Sequence, residues 1–255
     1  MELFFTQVFT FYFYSIQDDR FRAAKLPRDY KFEFNENFEE LNFRAKDGGE
    51  VSSILFKADS SHGVICFWKG NGGNLQKWGQ LAAKFLKYNY DLLITDYREH
   101  GKSKGDISFE NFHSDAQLVY DFLKTKYSEE KILVMGYSLG TNIASRLAAA
   151  NSPSMTVLID PKYKFEDKYL RMIFPFPDIT RFPFRTDLDI SAINAPVIII
   201  TGTKSDLYTD ANKLEKLLDR NDKFFEIKDA THQTILADKE IDSIFRFLLL
   251  KTALK

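Results

Sequence analysis

Ile132–Leu133–Val134–Met135–Gly136–Tyr137–Ser138–Leu139–Gly140–Thr141–Asn142–Ile143–Ala144 is the stretch on which the reading of the whole chain turns. Its first four residues form an unbroken apolar run, as a strand covered on both faces requires. From Ser138 to Ala150 the composition becomes alanine-rich and reads as a helix. A serine therefore sits where a strand turns into a helix, in the order Gly-x-Ser-x-Gly. In so tight a turn the serine is held in strained backbone angles, and side chains at the two glycine positions would strike the neighbouring strand and helix. The hydroxyl is left at the helix N-terminus, where backbone N–H groups and the helix dipole favour a developing anion. This is the setting of a nucleophile.

Working outward, the same alternation continues in both directions. Phe38 to Ala45 and Val51 to Ala58 read as two strands joined by the Lys46–Asp47–Gly48–Gly49 turn. Val64 to Trp68, Tyr90 to Asp96, Lys131 to Gly136, Met155 to Ile159, Val197 to Thr201 and Phe224 to Ile227 read as six more. Between them, Leu75 to Tyr88 and Phe112 to Tyr127 carry apolar residues at spacings of three and four, the signature of a helix face. Leu214 to Leu218 and Ile241 to Leu250 read as later helices. Strands alternating with helices imply βαβ units and a mostly parallel sheet, with an antiparallel start. Pro161 to Pro196 breaks the rhythm, being far longer than the usual connection of about 2–6 residues. It reads as a short cap over the C-terminal edge of the sheet.

A serine hydroxyl is a weak nucleophile until a base takes its proton and an acid orients that base. His232 is the only histidine after Ser138, and it follows the last strand. His62, His100 and His113 all precede the turn. For the acid, Asp206 follows the strand Val197 to Thr201 and is the expected partner; Asp160, at the end of the preceding strand, and Asp210 stay open. The backbone N–H of Leu139 is the first expected oxyanion donor. The second is expected from Asn71, in the loop Lys69–Gly70–Asn71–Gly72–Gly73–Asn74, whose glycines let the backbone approach a ligand closely.

Composition bounds the rest. The chain has 255 residues, enough for one α/β domain with a full core, and a formal net charge of −1, too little to hold nucleic acid. Cys66, the one cysteine, lies in an apolar run and reads as a buried thiol; a disulfide-free chain is expected in the cytoplasm. No CxxC or HExxH spacing occurs, so neither metal nor cofactor is expected. Leu3 to Ile16 is strongly apolar but shorter than the roughly 20 residues a spanning helix needs. Residues 1–24 are set apart as a hydrophobic segment, either a membrane-associated helix or an element packed on the domain; residues 25–255 form the domain, with the cap at about 161–196.

Three motifs in order, Lys69–Gly70–Asn71–Gly72–Gly73–Asn74, Asp96–Tyr97–Arg98–Glu99–His100–Gly101–Lys102–Ser103–Lys104–Gly105 and Gly136–Tyr137–Ser138–Leu139–Gly140, resemble the serine-aminopeptidase/lysophospholipase-like branch of the α/β-hydrolases. That branch shows H-G-N-x-G-N, D-Y-R-G-x-G-x-S-x-G and G-Y-S-L-G. The likeness extends over roughly residues 25 to 250. It implies an α/β-hydrolase fold: a mostly parallel eight-stranded sheet, helices on both faces and a short cap insertion. It also implies hydrolysis of esters, thioesters or amides.

Three positions depart from the pattern. Lys69 stands for the usual histidine and Glu99 for a glycine. Ser205 occupies the usual place of the acid, with Asp206 one residue later. The expected function is cleavage of a carboxylic ester or thioester, of a small or acyl-lipid-like substrate, by Ser138, His232 and Asp206. The alternatives are a peptidase or amidase with the same residues, and a catalytically silent protein that binds a ligand or a membrane surface through residues 3–16. The cap aromatics Tyr163, Phe165, Tyr169, Phe174, Phe176, Phe182 and Phe184 read either as an acyl-binding surface or as the cap's own core. Arg171, Arg181 and Arg185 read either as contacts for an anionic head group or as solvated surface charge.

Overall fold

Eight strands form one sheet: β1 (Phe38–Arg44), β2 (Glu50–Phe56), β3 (Gly63–Trp68), β4 (Tyr90–Thr95), β5 (Ile132–Tyr137), β6 (Met155–Ile159), β7 (Val197–Gly202) and β8 (Lys223–Ile227). They are seen in a computed structural model that describes residue 21, residues 24–165 and residues 181–253. The spatial order is β1-β2-β4-β3-β5-β6-β7-β8. β2 pairs antiparallel with both β1 and β4, and every other neighbour is parallel. The antiparallel start, the parallel remainder and the eight strands agree with the sequence pattern.

Why the central strands are continuous apolar runs is plain from their two faces. Along β3, Val64, Cys66 and Trp68 enter one core and Ile65 and Phe67 the other. Along β5, Ile132 and Val134 alternate in the same way with Leu133 and Met135. Burial pushes the Cys66 thiol up to about 12, as suits an inert core group.

Among the described residues, helices α1 (Leu75–Trp78), α2 (Ala82–Leu86), α3 (Phe109–Lys124), α4 (Leu139–Ala149), α5 (Thr186–Ile190), α6 (Tyr208–Glu215) and α7 (Lys239–Ala253) accompany the sheet. α3 and α4 cover one face, whereas α1, α2 and α7 cover the other. The single helix expected over Leu75 to Tyr88 is instead two short helices around a 3-10 turn at Gly79–Leu81. There the backbone is pressed against an aromatic ring: a Cβ on Gly79 would lie 2.4 Å from Phe34.

Strand register gathers the loops that matter. Trp68 lies beside Gly136, which sets the loop after β3 next to the turn after β5. Tyr137 lies beside Ile159, and Ile159 beside Ile200, so the ends of β5, β6 and β7 stand in a row. These are the C-terminal ends of parallel strands, where ligands bind in open α/β sheets.

The connection from β6 to β7 is described at Pro161–Phe165 and from Arg181 onward. Phe182 and Phe184 are fully buried against Phe112 of α3 and against Phe21. Burial of each such ring stabilises the fold by about 1.5–3 kcal/mol. For these two rings the core reading holds. Tyr169, Arg171, Phe174 and Phe176 lie outside the described residues, as do residues 3–16. Arg181 donates to the Ile107 carbonyl and Arg185 pairs with Asp187. Among the described residues, no helix is long and apolar enough to cross a membrane.

Candidate active site

Ser138 has φ 54° and ψ −119°, a conformation that costs a non-glycine residue about 1–3 kcal/mol. Three bonds hold it there. Its N–H donates to the Ile159 carbonyl at 3.0 Å, and its own carbonyl accepts from the Thr141 N–H at 3.0 Å and the Thr141 hydroxyl at 2.6 Å. The flanking glycines are required sterically. A Cβ on Gly136 would lie 2.3 Å from the Gly140 oxygen, and one on Gly140 would lie 1.9 Å from the Trp68 oxygen. Ser138 itself is half-buried and opens α4, whose first N–H groups have no partner within the helix.

His232 is brought to this edge by close packing of the loops after β7 and β8. Thr203 N–H donates to the Ile227 carbonyl at 3.0 Å and Lys204 N–H to the Ala230 carbonyl at 2.9 Å. Tyr137, the residue before Ser138, braces the same loop. Its ring stacks on the imidazole at 5.0 Å between centroids, and its hydroxyl donates to the His232 carbonyl at 2.5 Å. Nothing in the sequence pattern singled out Tyr137.

The carboxylate that meets His232 is Asp160, with Oδ2 at 2.5 Å from Nδ1. This corrects the expected pairing with Asp206. Asp160 is fully buried at the end of β6, with φ 53°. Its Oδ1 accepts from the Thr201 hydroxyl at 2.9 Å, and its Oδ2 accepts from the Ser205 hydroxyl at 2.5 Å. The loop after β7 turns Ser205 inward, where its Oγ also accepts from the Leu207 N–H at 3.0 Å. Asp206, the next residue, is exposed. Asp210 accepts from the Tyr163 N–H and pairs with Lys213 in the first turn of α6. Because an ionised carboxylate can only accept, Nδ1 of His232 carries the proton and Nε2 is the basic nitrogen.

Asn71 lies in the loop beside the turn, with its carbonyl neighbour Gly70 packed under the Tyr137 ring: a Cβ on Gly70 would lie 3.0 Å from that ring. The Trp78 indole N–H donates to the Gly72 carbonyl at 2.6 Å, fixing the outer part of the loop. Leu139 is buried directly after Ser138. His113 is half-buried against Phe109 and Phe184, and His62 sits near Tyr90; neither contacts this cluster. Among the described residues, no group of three or more His, Cys, Asp and Glu side chains could hold a metal ion.

The family model described as serine aminopeptidase, S33 matches residues 59–186, from just before β3 into the start of α5. The chain belongs to this family of α/β-hydrolases. Among curated relatives, protein bem46 of Schizosaccharomyces pombe is 26% identical over 188 residues, covering 69% of this chain and 63% of its own length. The α/β-hydrolase domain-containing protein 17C of Mus musculus is 30% identical over 165 residues, covering 59% of this chain and 47% of its own. The lysophosphatidylserine lipase ABHD12 of Danio rerio is 26% identical over 167 residues, covering 55% and 43%. The matches thus span about two fifths to two thirds of these relatives. Among solved structures, the Pyrococcus furiosus esterase Pf2001 superposes with a TM-score of 0.71 at 18% identity, covering 91% of this chain and 98% of that one. This likeness establishes the fold of the family member, eight strands and covering helices included.

Proposed function

We propose that this family member is a serine hydrolase that cleaves a carboxylic ester or thioester through an acyl-enzyme. The observation that carries the proposal is the short His232–Asp160 contact beside a serine held at positive φ. In the first step Nε2 of His232 takes the Ser138 proton as Oγ bonds to the carbonyl carbon. The carbonyl electron pair moves to oxygen, and the N–H groups of Leu139 and Asn71 receive the oxyanion. Collapse breaks the bond to the leaving alcohol or thiol, which takes its proton from His232. Water then repeats the sequence on the acyl-enzyme and releases the acid and free Ser138. Asp160 holds the imidazole in the required tautomer and stabilises its cation, with Ser205 and Thr201 orienting the carboxylate.

The relatives include a lysophosphatidylserine lipase and the fold neighbours an esterase, which supports an acyl substrate of small-molecule or lipid type. The matched model is described as a serine aminopeptidase, which favours amide cleavage as the second reading. Residues 3–16 are proposed to lie against a membrane surface. A fluorophosphonate probe tests the nucleophile: wild type labels at neutral pH and Ser138→Ala does not. If wild type fails to label, the silent, ligand-binding reading replaces this one. Turnover of short acyl esters, long acyl esters and aminoacyl amides then ranks the substrate classes, with esters expected first.

A further inference from the structure

Lys69 directly follows β3 and opens the loop to which Asn71 belongs, and its side chain is fully buried. A buried ammonium is tolerated only when paired and hydrogen-bonded. Here it meets three partners: His100 Nδ1 at 2.7 Å, the Gly73 carbonyl at 3.3 Å and Asp96 Oδ1 at 3.3 Å. The loop is held at both ends as well. The Tyr97 hydroxyl donates to the Lys69 carbonyl at 2.6 Å, and Asp96 Oδ2 accepts from the Leu75 N–H at 3.1 Å. Residues 69 to 75 are thus tied at their start, middle and end by side chains of one cluster.

The cluster continues to the N-terminal part of the chain. Since Nδ1 of His100 accepts from the ammonium, its proton resides on Nε2, which donates to the Phe21 carbonyl. The Phe21 ring is buried, 4.3 Å from that of Phe182 and 5.7 Å from that of Phe112. The residues after it are bound to Gly101, the neighbour of His100, and to Asn74 of the loop. Leu26 N–H donates to the Gly101 carbonyl at 2.9 Å, Gly101 N–H to the Ala24 carbonyl at 3.2 Å, and the Asn74 amide to Ala24 at 3.3 Å.

We propose that Lys69 is a positioning residue for the oxyanion loop, and that His100 makes its hold conditional on the seating of Phe21 under the cap. The inference rests on the hydrolase reading above. Unseating Phe21 frees the Nε2 proton of His100, loosens the acceptor of Lys69 and lets Asn71 drift. Turnover then falls although no reacting atom has been touched.

The test uses the full chain, a short p-nitrophenyl ester and a trifluoromethyl ketone, which forms an anionic tetrahedral adduct with the serine. Lys69→Met/Asp96→Asn removes both buried charges together. We expect kcat to fall on the order of 100-fold, the effect of losing one oxyanion donor, with KM little changed. Affinity for the trifluoromethyl ketone is expected to fall in parallel with kcat. Phe21→Ala and His100→Ala each lower kcat about tenfold, and the Phe21→Ala/His100→Ala pair loses no more than the worse single variant, because the two act in one chain of contacts. If the charge-neutral variant does not fold, Phe21→Ala alone decides. Unchanged kcat beside a lowered melting temperature, or a fall in kcat with ketone affinity intact, overturns the inference while leaving the hydrolase reading standing. Absence of any Ser138-dependent turnover in wild type removes both.

Discussion

The turn at Gly136–Gly140 and the loops around His232 are both rigid, by opposite means. The turn is shaped by backbone sterics within five consecutive residues, where a single added carbon would overlap the Trp68 or Gly140 oxygen. The His232 cluster is shaped by side-chain hydrogen bonds among Asp160, Thr201, Ser205 and His232, which come from the ends of three strands. A steric site cannot tolerate one extra methyl group, whereas a hydrogen-bonded site loses its parts gradually. The same contrast separates Ser138, held chiefly by the main chain, from Asp160, held by hydroxyls that could be replaced.

That contrast can be broken most severely at the turn. Gly140→Ala places a Cβ 1.9 Å from the Trp68 oxygen, with backbone rather than a flexible side chain in the way. We expect a loss of about 4 kcal/mol or more, seen as a collapse of the soluble fraction or of the thermal midpoint. A soluble protein with a near-wild-type midpoint would mean the turn is far more yielding than its geometry implies.

The hydrogen-bonded side responds by degrees. Ser205→Ala removes one of the two hydroxyls on Asp160, and a hydrogen bond to a charged group is worth about 1.5–3 kcal/mol. The expected result is kcat/KM lower by about 10- to 100-fold with the fold intact by circular dichroism. Thr201→Val, which removes the 2.9 Å bond to the other oxygen, should lie toward the smaller end of that range. No change in either variant would show that Asp160 is held by burial alone.

A smaller effect comes from a histidine with no such network. Neither ring nitrogen of His113 has a hydrogen-bond partner among the described residues, and burial lowers its pKa from 6.5 to about 4. Burial, then the charge of Lys69, lowers His100 from 6.5 to about 3. The unfolded chain therefore binds protons below about pH 6.5 that the folded chain refuses. The stability these rings permit is complete above about pH 6.5 and is lost as pH falls toward 4 and then 3. His113→Phe should flatten part of the fall in thermal midpoint between pH 6.5 and 4. An equally steep fall in that variant would remove His113 from the account.

The parts legible in the sequence are those written in contiguous residues. The central strands follow from apolar runs buried on both faces, and Ser138 follows from a motif whose glycines are sterically forced. His232 was legible from chain order alone, as the one histidine after the turn. The choice between Asp160 and Asp206 was not, because it depends on which way two adjacent loop residues face. Ser205 is buried and Asp206 is exposed, and no periodicity constrains a loop of that length. Tyr137 was hidden for a similar reason: its partner is a backbone carbonyl 95 positions away. The cap's aromatic residues could be read as substrate surface or as core, and only contacts with Phe21 and Phe112 assign Phe182 and Phe184 to the core.

In the proposed mechanism Ser138 is activated by His232, oriented through Asp160. Its most direct test is kcat/KM on a short acyl ester for Asp160→Asn beside Asp206→Asn. A loss on the order of 10⁴-fold is expected for Asp160→Asn, the cost of the wrong imidazole tautomer. For Asp206→Asn, at an exposed position, a change of no more than about twofold is expected. Activity retained in Asp160→Asn and lost in Asp206→Asn would contradict this mechanism.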